Sequence, residues 1–177
     1  MEKLKLTALA LLFVAAMDVC RANLGDTEAQ CIAKYGSESD VKDDLGYRQV
    51  GDKAASFKVK APNGEIILRI TFLNGLSCHE SYSSADSSRG LSEDQMKAIL
   101  HSQDAGLNWD KRKTIYRTSN SAGQTFGTVD WLRSDGATAR FWMLGKASSQ
   151  SQSGQIDLST KQYADAQHFY DEENGNN

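Results

Sequence analysis

Residues 66–82, Ile66-Ile67-Leu68-Arg69-Ile70-Thr71-Phe72-Leu73-Asn74-Gly75-Leu76-Ser77-Cys78-His79-Glu80-Ser81-Tyr82, decide the fold. Ile66, Leu68, Ile70 and Phe72 recur at every second position, the period of a strand that buries one face. Asn74-Gly75 then supplies the two residues that best tolerate the positive φ angles of a tight hairpin. A two-residue turn sets Leu73 opposite Leu76 and carries that register down the ladder, so Thr71 is predicted opposite Cys78, Ile70 opposite His79 and Arg69 opposite Glu80. On this reading Glu80 is the surface ion partner of Arg69, and His79 shares the Phe72 face with Ser77 and Ser81.

Upstream, Thr27 and Gln30 form a capping box that opens a short helix, and Gly36 ends it after Tyr35. Ala29, Ile32, Ala33 and Tyr35 give this helix an inward side, with Cys31 near its edge. Residues 40–53 read as a loop or irregular strand, and Ser56–Lys60 as a strand with Phe57 and Val59 on one side. Pro62-Asn63-Gly64 turns the chain into the hairpin.

Downstream, Ser83–Gly90 is a serine-rich linker, and Ser92 with Gln95 caps a second helix running to about Ser102. Leu91 and Met96 staple its entry, and Met96, Ile99 and Leu100 form its buried stripe. Trp109 anchors the following loop. Strands are expected at Ile115–Arg117, Gln124–Arg133, Ala137–Leu144 and Ile156–Leu158, the middle pair joined through Asp135-Gly136. Ser159 with Gln162 opens a final helix or ragged helical tail. The resulting class is α+β, helices packed on antiparallel β-meanders. The recurrence of Thr27-Glu28-Ala29-Gln30 as Ser92-Glu93-Asp94-Gln95, each before a meander, can mark two repeated halves, 23–84 and 91–160, followed by a helical or disordered tail at 161–177. Independent caps give the same pattern.

Residues 1–22 read as a signal peptide. Lys3 and Lys5 precede the apolar run Leu6–Met17, and Cys20-Arg21-Ala22 offers small residues for cleavage after Ala22. The run falls short of the roughly 20 residues a bilayer span requires. The protein is therefore expected to be exported, periplasmic or extracellular, as one domain over 23–177 with no transmembrane segment in the mature form. The chain has 20 Lys and Arg against 23 Asp and Glu, a net charge of −3. This balance gives no electrostatic reason to seek nucleic acid. Of its three cysteines, Cys31 and Cys78 remain after cleavage, and in an oxidising compartment they are candidates for a disulfide. The bond requires the first helix to cover or skirt the Leu73, Leu76 and Tyr82 face; if it covers the Ile66–Phe72 face, the bond fails.

Leu24-Gly25-Asp26-Thr27-Glu28 through Tyr35-Gly36, followed by strands, resembles the opening of exported helix-plus-meander modules. These include the SmpA-type outer-membrane assembly lipoprotein and the tandem modules of β-lactamase inhibitory protein. The chain as a whole resembles exported bacterial proteins with a similar start. The resemblance implies a protein that binds other proteins and catalyses nothing. It departs from that group at Gly36-Ser37, where Gly-Pro is usual.

The catalytic inventory is sparse. His79, His101 and His168 fit no compact metal-ligand spacing, and no nucleophile elbow, phosphate loop or dinucleotide fingerprint occurs, so neither metal nor cofactor is expected. The acidic runs at Asp40, Asp43 and Asp44 and at Asp171, Glu172 and Glu173 read as solvated faces. His79 beside serines is the weak catalytic candidate. The stronger signal is aromatic: Tyr116, Phe126, Trp131 and Trp142, rimmed by Arg117, Arg133, Arg140 and Lys146, are read as a sheet surface for a protein or peptide partner. Because Phe141 and Trp142 are adjacent in a strand they must point to opposite faces. The expected function is thus an exported, non-enzymatic protein-binding or cell-envelope scaffolding module, and the alternative is a small secreted hydrolase centred on His79.

Overall fold

The computed structural model describes residues 23–38, 50–61, 64–86, 88–119, 124–146 and 153–173. The signal-peptide reading of 1–22 and the acidic cluster at Asp40, Asp43 and Asp44 lie outside them. Helix α1 spans Glu28–Tyr35, and strands β1, β2 and β3 span Lys53–Ala61, Gly64–Leu73 and Leu76–Ser84. A two-residue β4, Leu91–Ser92, leads into α2, Glu93–Ser102. Strands β5 (Trp109–Ser119), β6 (Gln124–Arg133), β7 (Thr138–Lys146) and β8 (Ser153–Ser159) follow, and α3 spans Lys161–Glu173.

Local chemistry explains both helix starts. In each capping box the hydroxyl, of Thr27 or Ser92, accepts the N3 backbone N–H, and the N3 glutamine accepts the cap's own N–H. Gly36, at φ 87°, ends α1 in a conformation that a side chain would strain. The third helix starts one residue later than expected: Thr160, not Ser159, accepts from the Tyr163 N–H at 3.2 Å. Trp109, expected in a loop, is instead the first residue of β5.

All strands join one open antiparallel sheet in the order β1-β2-β3-β8-β7-β6-β5, with β4 pairing to β8. Asn74 (φ 55°) and Gly75 (φ 78°) form the expected hairpin turn. Leu73 pairs with Leu76 and Phe72 with Ser77, but between Phe72 and Thr71 the register shifts. Thr71 faces His79, Ile70 faces Glu80 and Leu68 faces Tyr82, leaving Cys78 as the unpaired extra residue of a β-bulge. The single register carried down from the turn is therefore corrected. Because side chains alternate with a period of two, one inserted residue exchanges the faces of everything after it. Glu80 meets the core, not Arg69, and Arg69 lies opposite Ser81 and donates to the Ser83 hydroxyl at 3.3 Å.

The core fills the face of Phe57, Val59, Ile66, Leu68, Ile70 and Phe72, continued by Tyr82, Ile156, Leu158, Phe141 and Val129. Helix α1 covers it through Cys31 and Tyr35, the latter ring 5.5 Å from Phe57, and α2 through Met96, Ile99 and Leu100. Fully burying each of the large apolar side chains contributes about 1.5–3 kcal/mol. Helix α3 packs on the opposite face, where Tyr163 stacks on His79. The helices thus occupy both faces, not one.

This placement overturns the Cys31–Cys78 disulfide. Helix α1 covers the Ile66–Phe72 face, so Cys31 is enclosed in the core cluster, while Cys78 sits at the bulge and its thiol donates to the Thr71 carbonyl at 3.2 Å. Both are buried free thiols beyond bonding distance. Burial pushes both pKa values up to about 12. A reductant is accordingly expected to leave the thermal unfolding midpoint unchanged to within about 1 °C. A native bridge worth about 2–4 kcal/mol would instead lower it by several degrees, as scanning calorimetry with and without phosphine would show.

Candidate functional site

The half of the sheet face left uncovered by α3 is built from alternate residues of β5 to β8. One row across it is Lys113, Asp130, Arg140 and Asp157, alternating in charge sign from strand to strand. The row continues through Ser81, Arg69 and Ser56. Cross-strand opposite charges support pairing, and here they also fix side-chain directions. Arg140 grips Asp130 with two donors, at 2.7 and 3.2 Å, and the carboxylate holds the guanidinium pKa above its usual value.

The adjacent row is Ile115, Thr128, Trp142 and Gln155. Trp142 is 43% exposed and Phe126, on the neighbouring strand, 42%. Trp142 is nevertheless held: its indole N–H donates to Asp157, and the Arg140 guanidinium lies 5.5 Å from its ring centroid. Gln155 secures Asp157 from the other side, donating to its second oxygen at 2.9 Å and to the Ser81 hydroxyl at 3.2 Å. Phe126, Trp142, Ile115, Thr128 and Gln155 line a shallow groove of about 500 Å³.

The structure divides the aromatic set read from the sequence. Phe126, Trp142 and Arg140 come together as described. Phe141 is buried behind Trp142, as adjacency in a strand requires. Trp131 is on the core side, its ring 5.8 Å from Phe141, and it lines a separate cleft of about 470 Å³ with Trp109, His101 and Asp104. Arg133 also turns inward: it is 7% exposed, pairs with Asp135, reaches the Gln103 carbonyl and lies 5.2 Å from the Trp109 ring centroid. Tyr116 and Arg117 lie in β5 opposite Gly127 and Phe126, and Lys146 in β7 opposite Gln124. Asp157 and Gln155 escaped the sequence reading, although the alternation of Gln155 and Asp157 with Ile156 and Leu158 carried the signal.

His79 lies on this same side of the sheet but beneath α3. Its Nδ1 is 2.9 Å from the Ser159 hydroxyl, and the Tyr163 ring is stacked at 4.8 Å. The histidine is therefore beside a serine, yet a different one from those named by the unbulged register. Burial lowers its pKa, partly opposed by the Asp157 charge. Among the described residues, no group of three or more His, Cys, Asp and Glu could hold a metal ion, and no helix is long and apolar enough to cross a membrane.

On the core face, Glu80 is fully buried, a placement missed because the bulge was not foreseen. Its carboxylate accepts from the Tyr82 hydroxyl at 2.8 Å and the Gln103 side-chain amide at 2.9 Å, with the Ser77 hydroxyl at 3.5 Å. Desolvation raises its pKa to about 7, against the opposing pull of those hydrogen bonds.

No protein-family model, curated protein or solved structure matches the chain.

A neutral His79 suits its stacked site. Because its folded pKa lies below its unfolded value, its contribution to stability is present above about pH 6.5 and is lost as pH falls through the folded pKa. NMR titration is expected to place the His79 midpoint below the ordinary histidine value of about 6.5, and His79→Phe should reduce the loss of stability on acidification.

Proposed function

We propose that this chain is an exported, non-enzymatic binding module that presents the open half of its sheet to a protein or peptide partner. The observation that supports the reading is Trp142: a large aromatic left half in solvent, yet locked by Asp157 and Arg140 beside an exposed Phe126. Ordering a side chain on binding has an entropic cost, and a ring fixed before the encounter avoids part of it. Aromatic and arginine side chains arranged in this way are the usual centres of binding energy. Export rests on the leader-like residues 1–22. The SmpA and inhibitory-protein resemblance points the same way.

A relation between the two meanders belongs to the same proposal. Each follows a capped helix on the core face, and their last strands, β3 and β8, meet at the middle of the sheet. A dyad between β3 and β8 would match β1–β3 with β6–β8 and leave β5 as an added edge strand.

The test is affinity capture of envelope and secreted fractions on the purified protein. Trp142→Ala and Phe126→Ala are each expected to reduce partner recovery about tenfold or more, with the unfolding midpoint within about 2 °C of the parent because both rings are exposed. Recovery unchanged in both variants would overturn the reading.

The hydrolase alternative is favoured by one distance, the 2.9 Å between His79 Nδ1 and the Ser159 hydroxyl. It requires Ser159 to be activated as a nucleophile. Labelling of Ser159 by a fluorophosphonate probe, abolished by His79→Ala, would support that reading; the binding reading expects no label.

A further inference from the structure

We propose that the segment Asn23–Tyr35 is a pH-gated latch, closed over the sheet while Glu80 carries its proton and opening locally when Glu80 ionises. The device lies on the face opposite the aromatic groove and stands apart from the binding proposal.

The geometry begins with what joins the segment to Glu80. Ser77, whose hydroxyl is 3.5 Å from the Glu80 carboxylate, bonds to the Asn23 carbonyl at 3.1 Å. The Gly25 N–H donates to both the Ser77 carbonyl and its hydroxyl, and the Ser77 N–H donates to the Asp26 carbonyl. Gln103, which donates to Glu80, accepts the Leu24 N–H at 3.1 Å. Among the described residues, the polar tethers that join residues 23–26 to the sheet and to the end of α2 therefore end on residues that also touch the carboxyl group; the remaining bonds, the Asp26–Lys34 pair included, lie within the segment itself.

Among the described residues, no cation is paired with Glu80. From the N-terminal turn it feels Asp26, a carboxylate that disfavours its ionisation and is itself paired to Lys34. From α1 come Cys31 and Tyr35, the former carrying the field of Glu80 and the latter that of Tyr82. Its own strand presents Tyr82, and the neighbouring strands present Ile70 and Leu158. From the end of α2 comes neutral Gln103, behind which Arg133 is directed to the Gln103 carbonyl and to Asp135. The Tyr82 hydroxyl and the Gln103 amide stabilise the carboxylate, while the single Ser77 proton goes to the Asn23 carbonyl, and two neutral donors do not replace water around a buried charge.

Of the two helices on the core face, α1 is the more weakly held. Helix α1 buries only Cys31, and its Ile32 is 39% exposed, whereas α2 buries Met96, Ile99 and Leu100. Local opening draws on the elements with fewest buried contacts, so hydrating Glu80 by lifting residues 23–35 disturbs less packing than displacing α2. Opening returns Glu80 toward its ordinary pKa of 4.5 from about 7 when closed. The closed form binds the proton more tightly, so it is fully favoured below about pH 4.5 and loses that advantage as pH rises through 7. The separation limits the change in the opening equilibrium to about 300-fold.

The two buried thiols provide the measurement. Full-length protein is exposed to methyl methanethiosulfonate between pH 5 and pH 8, and modification of Cys31 and Cys78 is read separately by peptide mass spectrometry. Both thiols are pushed up to about 12 by burial, so their rate ratio cancels the common effect of pH on thiolate formation. The Cys31-to-Cys78 ratio is expected to rise by at least tenfold across that range, and amide protection, corrected for the intrinsic pH dependence of exchange, should fall over residues 24–31 but not over α2. In Glu80→Gln both pH dependences should vanish. A constant ratio in the parent protein, or the same rise in Glu80→Gln, would overturn the latch. If Glu80→Gln fails to fold, the parent's ratio and the confinement of exchange to residues 24–31 decide the matter.

Discussion

Cys78 is one residue more than the β2–β3 ladder can pair, and the arrangement of the molecule depends on that surplus. The bulge leaves the Asn74-Gly75 hairpin intact but exchanges the faces of all that follows in β3. Glu80 and Tyr82 turn toward Ile70 and Leu68, and His79 and Ser81 turn toward Thr71 and Arg69. Since β3 is the strand on which β8 pairs, the exchange passes into the second meander: Leu158 and Ile156 face the core, and Asp157 faces out. The position of the aromatic groove thus follows from a local irregularity two strands away.

The same bulge places a carboxyl group where an apolar side chain would cost less. Buried ionisable groups persist only when their hydrogen bonds are satisfied, and Glu80 meets this demand by gathering Tyr82, Gln103 and Ser77. These partners belong to a strand, a helix end and a residue that tethers the chain's N-terminal turn. The network therefore acts as a register mark for three elements that apolar contacts alone would hold less specifically.

On the opposite face the physical logic is reversed. Arg140 pairs with Asp130 at the surface, where such pairs add little to stability, and Asp157 accepts from Trp142 and Gln155. Their effect is directional: they hold Trp142 in one orientation while leaving its ring half in water. Helix α3 closes the other part of this face through Tyr163 and His79, so the groove's limit is set by where that helix docks.

The sequence by itself determined the local elements. Capping boxes at Thr27 and Ser92, the turn at Asn74-Gly75 and the two-residue alternation of Ile66–Phe72 are short-range chemistry, legible because all participants lie within a few residues of one another. The opposed directions of Phe141 and Trp142 were legible for the same reason. Tertiary structure decided what needs distant partners: the bulge at Cys78, the burial of Glu80 against Gln103, the inward turn of Trp131 and Arg133, and the separation of Cys31 from Cys78. A period-two pattern specifies which residues share a face only while the register is unbroken, and a bulge leaves no mark in composition. Which face is covered is then fixed by the packing of α1, α2 and α3, a choice made by the whole chain.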